Sequence, residues 1–390
     1  PALSLYVTLD EATLELRGSE TRLERVRISA NLRHDQLDAA VTEAALTGKA
    51  AADFPFAAEL SFGFRLAKHL KARREVVRGK PESFNRPDFS FKLDRDAGAA
   101  GTEPTGDEPV RIDIRRRGAP LDLIVSEAMI LANSTWGGWL ADHGVPAIYR
   151  SQASLQPGIK VRMGVRPAPH AGMGVAQYAW ATSPLRRYVD LVNQWQLIAC
   201  ARHGRTAALV APFKPKDAAL FSIISAFDTA HAAYNGFQQA IERYWTLRHL
   251  QQNGSAEIDA AVMKEGLVRA ETLPLVFRVP GTESLLRGSR VRVRVMGIDL
   301  LTLDLHATLL ARLDESSTPL AGSTTAGTSG DANADTNEDT RVETGQNSGD
   351  AGDDDDGDGG SDGVVSGPLK LAIDADDTAP VSVSVPPSGG

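Results

Sequence analysis

Alternating apolar and polar residues at the start of the chain predict β-structure. The alternating runs cover residues 3–9, 14–16 and 26–28. Because successive side chains of a strand point to opposite faces, each run has one apolar face, and together they predict a three-stranded antiparallel meander. Three later segments place apolar residues at steps of three and four, which predicts helices. These segments are residues 35–46, 59–78 and 121–143.

The second half of the chain continues this mixture of strands and helices. Short strands are predicted at residues 110–114 and 175–181, and a long helix at residues 217–253. Short alternating runs then predict a small β-barrel over residues 256–314. In the remaining residues Gly, Ser, Thr and Asp dominate and aromatic residues are absent. Such a segment has too little apolar surface to form a core, so we predict a disordered tail over residues 315–390.

The charge distribution separates this tail from the rest of the chain. The 390 residues have a net charge of −8, but residues 315–390 alone carry 16 acidic and two basic residues. Residues 1–314 therefore carry 40 basic and 34 acidic residues. A mildly basic body of this kind permits nucleic-acid binding but does not demonstrate it.

Several classes of protein do not fit the sequence. No apolar run is long enough to cross a membrane, and the first residues lack the basic start and apolar block of a signal peptide. These residues read as a strand already under way, so we expect a part of a longer protein. Cys200 is the only cysteine, which excludes an internal disulfide and fits a cytoplasmic location. Its apolar neighbours predict a buried structural thiol.

The most informative segment of the chain is TSPLRRYVDL, residues 182–191. Ser183 suits the N-cap and Pro184 the first position of a helix, so Arg186 and Arg187 would lie in its first turn. The positive end of a helix dipole disfavours cations there unless an anion binds. A phosphate would supply that anion. The alternative is that both arginines extend into water or pair with acids elsewhere.

Three motifs resemble, in the same order, those of the RNB exoribonucleases, the ribonuclease II and ribonuclease R group. The motifs are LIVSEAMILAN at residues 123–133 with HGVPAIYR at 143–150, SPLRRYVDLVNQW at 183–195, and IERYWTLRHL at 241–250. The resemblance covers most of residues 1–314. It implies hydrolytic 3′→5′ degradation of RNA to nucleoside monophosphates. It also implies a narrow channel that leads a single-stranded 3′ end to a magnesium site.

The resemblance further implies roles for individual residues. Arg186 matches the arginine that contacts the scissile phosphate, where it would stabilise charge in the transition state. Glu242 and Glu127 match acids of the terminal-nucleotide pocket, and Glu242 is assigned a catalytic part. For both acids the alternative is a solvated position on a helix surface. The other residues of the SPLRR motif that are assigned to RNA binding are Ser183, Arg187 and Tyr188. Arg187 and Tyr188 have a structural alternative.

Two further groups are candidates for RNA contact. Phe84 lies where the family has aromatic residues that stack on terminal bases, whereas Phe89 and Phe91 are better explained as core residues of a strand. The predicted barrel resembles the OB-fold RNA-binding module of the family, and arginines alternate with valines on one of its strands. These arginines are Arg290, Arg292 and Arg294. They would either follow a phosphate backbone or form the ordinary solvent face of a strand.

The aspartate cluster that binds magnesium in this family has no counterpart in the motifs. In the family it lies N-terminal to the region that this chain resembles. The one dense aspartate run here, residues 353–356, lies in the tail, which lacks the fixed geometry of a metal site. We therefore expect the magnesium ligands upstream of residue 1, and little hydrolysis of RNA by the fragment alone.

Together these observations predict three regions and one activity. We predict an α/β (α+β) RNB-type catalytic core over residues 1–255, an OB-fold barrel over residues 256–314 and the acidic tail. The predicted function is that of a magnesium-dependent, cytoplasmic and monomeric exoribonuclease with RNA as its partner and no contact with membranes. The alternative is a non-catalytic RNA-binding or scaffold protein built on a degenerate RNB domain.

Overall fold

The computed structural model describes residues 1–82, 87–94, 106, 108–115, 118–156, 158–254 and 257–313. The helices are α1 (His34–Leu37), α2 (Glu43–Leu46), α3 (Ala57–Arg78), α4 (Pro120–Asp142), α5 (Tyr188–His203), α6 (Ala207–Val210) and α7 (Ala218–Asn253). The strands are β1 (Ala2–Leu9), β2 (Leu16–Glu24), β3 (Asp88–Leu93), β4 (Val110–Arg115), β5 (Tyr149–Ser151), β6 (Arg162–Gly164), β7 (Glu257–Val262), β8 (Leu267–Ala270), β9 (Val276–Arg278), β10 (Arg290–Asp299) and β11 (Asp304–Arg312). Within the described ranges, no helix combines the length and the apolar character of a membrane span.

The strands form three antiparallel pairs and one larger sheet. β1 pairs with β2, β3 with β4, and β5 with β6. The predicted third strand of the N-terminal meander is wrong, because residues 26–28 have no strand partner and both Val26 and Ile28 are exposed. β2 instead extends to Glu24, and the hairpin ends there.

The long amphipathic helices were predicted correctly, and the short one was not. α3 and α4 agree with the predicted helices at residues 59–78 and 121–143 to within two residues. The helix predicted over residues 35–46 is divided into α1 and α2. Thr42 causes the division, because its hydroxyl accepts a hydrogen bond from the N–H of Ala45 at 3.3 Å and so begins a new helix.

Residues 175–181 form no regular strand, so the strand predicted there is wrong. They make only isolated β-bridges, between Ala179 and Tyr149 of β5 and between Val175 and His170, and side-chain amides supply further hydrogen bonds. The Ala181 N–H donates to Oδ1 of Asn133 on α4 at 2.9 Å, and Nδ2 of Asn193 on α5 donates to the Trp180 carbonyl oxygen at 2.7 Å. Both asparagines are buried, and buried amides need such partners. The segment is therefore fixed between α4 and α5 and leads directly into Ser183.

Two glycines of α4 let this extended segment approach the helix closely. A Cβ atom at Gly138 would lie 2.6 Å from Nε2 of Gln177, and one at Gly137 would lie 3.4 Å from the backbone nitrogen of Ala179. The Gly137 carbonyl oxygen also accepts a hydrogen bond from the Tyr149 hydroxyl at 3.1 Å. Close contact with α4 thus positions both β5 and the chain that precedes the SPLRR motif.

The C-terminal part of the described chain is all-β. Its five strands have the order β11-β10-β7-β8-β9 and surround a separate apolar core. The edge strands β9 and β11 approach each other, and Leu247 and Leu250 of α7 close the core. Arg243 of α7 fastens the helix to this sheet through hydrogen bonds to the carbonyl oxygens of Leu303 and Val276, at 2.6 and 2.7 Å. The sheet lies where the barrel was predicted, and the OB-fold assignment stays a prediction. Residues 314–390, with the acidic tail, are outside the described residues.

Candidate functional site

The SPLRR segment forms a turn that precedes the helix. The helix start predicted at Ser183 is wrong, because α5 begins at Tyr188 and Arg187 is its N-cap residue. The N–H groups of Arg186 and Arg187 donate to the Ser183 carbonyl oxygen at 3.2 and 3.0 Å. The Ser183 N–H donates to Oδ1 of Asp190 at 2.8 Å. A carboxylate in the first turn of α5 thus holds the preceding backbone, at the helix end that favours negative charge.

Arg187 is buried and its charge is compensated. Only 5% of the residue is exposed, and its Nη2 and Nε atoms lie 2.8 Å from Oδ1 and Oδ2 of Asp190. Its guanidinium carbon lies 3.9 Å from the ring centroid of Trp180, within the range of a cation–π contact. The structural alternative therefore describes Arg187, and its predicted role in RNA binding does not fit this geometry.

A second arginine contacts the same indole ring. The guanidinium carbon of Arg150, on β5, lies 3.8 Å from the Trp180 centroid. The Arg150 N–H donates to the Tyr178 carbonyl oxygen at 2.8 Å, which ties β5 to the extended segment. Sequence reasoning did not select Arg150. Its position at the end of the HGVPAIYR motif was the one available signal, and that signal does not reveal the contact with Trp180.

Arg186 differs from its neighbour, because its side chain is exposed. The described residues give it no carboxylate partner. Partial burial and the adjacent charge of Arg187 lower the pKa of Arg186, while Asp190 and Tyr234 act in the opposite direction. An arginine remains protonated at neutral pH all the same. Arg186 is therefore a free cation on a rigid turn, where binding of an anion would be favourable.

Helix α7 brings aromatic side chains to this turn. Phe227 contacts Trp180 edge-on, with centroids 6.4 Å apart, and stacks on His231 at 5.4 Å. His231 and Tyr234 follow Phe227 at helical steps of four and three, so the three rings share one face. Burial and the charges of Arg150 and Arg187 lower the pKa of His231, which keeps its imidazole neutral at neutral pH. The site thus combines exposed positive charge with a neutral aromatic wall.

Glu242 lies on the same helix but away from the turn. It is eight residues beyond Tyr234, which corresponds to about 12 Å along the helix axis. Its Oε1 accepts a hydrogen bond from Nε2 of Gln238 at 3.2 Å. No described contact joins Glu242 to Arg186, so its catalytic role stays a prediction.

Glu127 does not lie in an open pocket. It is 2% exposed, and both of its carboxylate oxygens accept hydrogen bonds from Arg74 of α3, one through Nε at 3.0 Å and one through Nη2. Arg74 also donates to Glu82 at 3.1 Å and to the Met173 carbonyl oxygen at 2.7 Å. The predicted contact of Glu127 with RNA is therefore corrected to a buried ion cluster. Sequence reasoning missed Arg74, which nothing in the pattern distinguishes from Arg73 beside it.

The aromatic candidates separate into three cases. Phe84 lies outside the described residues. Phe91 is 5% exposed on β3, as expected of a core residue. Tyr188 is half-exposed at the start of α5 and contacts Trp195 edge-on at 6.1 Å, which agrees with its structural alternative.

The arginines of β10 are paired with carboxylates on adjacent segments. Nε of Arg290 lies 2.6 Å from Glu271, and Nε of Arg292 lies 2.6 Å from Asp259. Nη2 of Arg294 lies 3.3 Å from the carboxylate of Glu257. These arginines and their carboxylate partners form the ordinary solvent face of a strand, as the alternative to RNA binding predicted. The geometry gives no support to a row of free phosphate-binding cations here.

Metal-ligating side chains are not brought together in the part of the chain that the structure describes. No group of three or more His, Cys, Asp and Glu residues there could hold a metal ion. Two clefts of about 660 and 280 Å³ flank α3, and neither is lined by Arg186. The described residues thus do not fit a magnesium centre.

A family model of the RNB domain matches residues 1–160 and 159–203, which is more than half of the chain. The chain belongs to the RNB domain family. The matched residues include the SPLRR turn, Asp190 and both arginines around Trp180. Glu242 and the β10 arginines lie beyond the matched residues, so the family assignment rests on the part that contains Arg186.

Similar proteins include two nucleases. The chain is 29% identical over 195 residues to a Synechocystis protein named an uncharacterized ribonuclease, a match covering 44% of this chain and 28% of that protein. It is 26% identical over 162 residues to the mitochondrial exoribonuclease II of Saccharomyces cerevisiae, covering 33% of this chain and 16% of that protein. The chain thus matches less than a third of the length of either relative.

A solved structure shares the fold of this RNB-family chain. RNase R of Mycoplasma genitalium superposes with a TM-score of 0.56 at 14% identity, covering 78% of this chain and 57% of that protein. At this identity the likeness shows the fold alone. It confirms the mixed α/β architecture that the sequence predicts.

Proposed function

We propose that the protein is a hydrolytic exoribonuclease that shortens single-stranded RNA from its 3′ end and releases nucleoside monophosphates. The observation that carries this proposal is Arg186, an exposed cation without a carboxylate partner in the described structure, on a turn of an RNB-family chain. Mycoplasma genitalium RNase R, whose fold is similar, has been solved with ribose-methylated single-stranded RNA and with double-stranded RNA. That protein's ligands support RNA as the substrate here.

In this proposal some side chains bind the RNA and Arg186 stabilises the charge of the transition state. Arg186 would donate to the non-bridging oxygens of the scissile phosphate and stabilise the charge that develops there. Asp190 and Arg187 hold the turn, so Arg186 is positioned before the substrate binds. Nδ1 of His231 is engaged by the Asn235 amide at 3.1 Å, so Nε2 of the neutral imidazole and the hydroxyl of Tyr234 would supply hydrogen bonds to ribose or base. A magnesium ion stays a prediction, and no step of this scheme depends on one.

The test uses the full-length protein with RNA labelled at one end. We expect the 5′-labelled strand to shorten progressively and the 3′-labelled strand to release a labelled mononucleotide at once. Arg186→Ala should lower kcat by roughly 10²–10³, the usual loss when a preorganised transition-state donor is removed, with a smaller change in RNA affinity. Arg17→Ala, which removes an exposed arginine paired with Asp10, is the control and should leave kcat unchanged. Equal losses of kcat and affinity would limit Arg186 to binding.

A second candidate function is a non-catalytic RNA-binding or scaffold protein built on the RNB fold. One observation favours it: Glu127, an acid expected at the site, is engaged by Arg74. The same assay separates the two candidates. RNA binding without shortening, with divalent cations present, would support the scaffold. The cytoplasmic location and the monomeric state stay predictions.

A further inference from the structure

A long stretch of the chain around the site contains no acidic residue. Between Asp142 and Asp190 there are 47 residues with six Lys or Arg and no Asp or Glu. The cations are Arg150, Lys160, Arg162, Arg166, Arg186 and Arg187. Residues 1–314 have 40 basic and 34 acidic residues, so this stretch accounts for their whole surplus. The rest of the body is balanced, and the positive charge is concentrated here.

Most of these cations are exposed and uncompensated. Arg187 is buried against Asp190, and Arg150 lies on Trp180. Lys160, Arg162 and Arg166 are exposed on and beside β6. Across the described residues, no carboxylate pairs with any of these three. They form one group with Arg186, which shares both properties.

Some exposed cations elsewhere on the molecule are paired with carboxylates. Arg17, Arg22 and Arg73 lie 2.9, 2.6 and 3.3 Å from the carboxylates that pair with them. Their partners are Asp10, Glu20 and Glu15. Exposure thus does not by itself prevent pairing, and residues 143–189 contain no acid that could pair with Lys160, Arg162 or Arg166.

The hairpin that carries these cations packs against the candidate site. Met163 and Val165 of the hairpin lie against the same buried cluster as Trp180 and Phe227. Met163 is also the register partner of Arg150. On α7, Asp228 raises the pKa of His231 against the larger lowering effects of burial and of Arg150. The hairpin and the segment that leads into the turn of Arg186 thus pack on one buried cluster.

We propose that the β5–β6 hairpin binds the phosphate backbone of the RNA strand beyond its reacting end. This inference rests on the proposed function. Tyr149 at the start of β5 is 1% exposed, and residues 150–169 contain no aromatic side chain, so the hairpin offers charge to phosphates but no exposed ring for stacking on bases. Contacts of this kind position a strand without reading its sequence. They release condensed counterions, which makes the affinity depend on salt. We define the hairpin surface as Lys160, Arg162 and Arg166.

The experiment measures the salt dependence of RNA binding. Full-length protein is titrated into a 5′-labelled oligouridylate, without divalent cations to prevent degradation, between about 50 and 200 mM salt. In the test variant Lys160→Gln, Arg162→Gln and Arg166→Gln are combined. The matched control combines Arg17→Gln, Arg22→Gln and Arg73→Gln, which removes the same charge from paired positions. Each phosphate contact to a single strand contributes about 0.7 to the magnitude of the slope of log K against log salt. The test variant removes three cations, so the magnitude of its slope should be smaller than that of the wild type by about 2.

With that change of slope, the test variant should bind the RNA more weakly than the wild type by a factor on the order of 50 near 0.15 M salt. The control should keep the wild-type slope. A charge-preserving variant with Lys160→Arg, Arg162→Lys and Arg166→Lys should also keep it, which separates charge from folding. Equal losses in the test and control variants would overturn the proposal, because they would show a general effect of net charge. An unchanged slope in the test variant would overturn it as well.

The outcomes also separate this proposal from the proposed function. If the wild-type protein neither binds nor shortens RNA, both fail. If the wild type shortens RNA and the test variant binds with the wild-type slope, the hairpin proposal alone fails and the assignment of Arg186 stands.

Discussion

Asp190 holds the turn that carries Arg186, and neutralising it should be costly. Asp190→Asn keeps the shape of the side chain and an oxygen for the Ser183 N–H, but removes the negative charge beside Arg187. Arg187 is 5% exposed, so it would remain as a buried cation without its carboxylate. Removing one partner of a buried pair costs about 3–5 kcal/mol. Because Trp180 still faces the guanidinium, we expect the lower end, about 3 kcal/mol.

The assay is urea denaturation of the wild type, the two single variants and their combination. Arg187→Met should be destabilising for the same reason, since it leaves Asp190 buried and unpaired. The double variant leaves neither charge, so its loss of stability should be smaller than the sum of the single losses by about 2 kcal/mol or more. A cost below about 1 kcal/mol for Asp190→Asn, or additive losses in the double variant, would refute the buried pair as the element that holds the turn.

Three further predictions concern the surrounding structure. Gly174→Ala should lower the free energy of unfolding by about 2–4 kcal/mol, because its left-handed backbone (φ +64°) is strained for alanine and the new Cβ would overlap the carbonyl oxygen of Arg74. Gly144→Ala is the control: its backbone is also left-handed (φ +63°) but its surroundings are open, so the loss should be about 1 kcal/mol. Equal decreases of Tm in the two variants would contradict this. Burial raises the pKa of the Cys200 thiol to about 11, so a thiol reagent at neutral pH should label it only after unfolding, and labelling of the native protein would be evidence against burial. The guanidinium on β10 lowers the pKa of Asp259, so that pair stabilises fully above the ordinary value of 3.8 and the stabilisation is lost as pH falls through the lowered value. The stability difference between wild type and Asp259→Asn should therefore shrink below that pH, and a constant difference would count against it.

Patterns that are decided locally were predictable from the sequence. α3, α4 and α7 have apolar residues at helical spacing over many turns, and each was predicted to within a few residues. The start of α5 was not, because Ser183 and Pro184 are ordinary helix-start residues, while the observed start depends on Asp190 accepting the Ser183 N–H. Residues 175–181 alternate like a strand, but they form only isolated bridges, and Asn133 and Asn193 provide further hydrogen bonds from distant positions.

In the candidate site, too, the features that depend on contacts between distant residues were not predictable from the sequence. Arg186 was selected by its motif, and the structure leaves it exposed and without a carboxylate. Arg187 is its direct neighbour, and only the fold buries it. Glu127 was selected for a pocket, but its environment is set by Arg74, 53 residues earlier in the chain. Residue type and spacing identify which groups carry charge, whereas burial and pairing decide which charges remain available to a ligand.

The arginines of β10 and the one arginine of β6 show how strand pairing decides whether a charge remains available. On β10 the alternating arginines are conspicuous in the sequence, yet Arg292 faces Asp259 across the register and Arg294 faces Glu257. On β6, Arg162 faces Ser151, which cannot compensate its charge. A polyanion gains little from cations that must first give up a carboxylate. The less obvious strand should therefore contribute the salt-dependent part of RNA binding, because the charge of a surface is set by the strand opposite as much as by the strand itself.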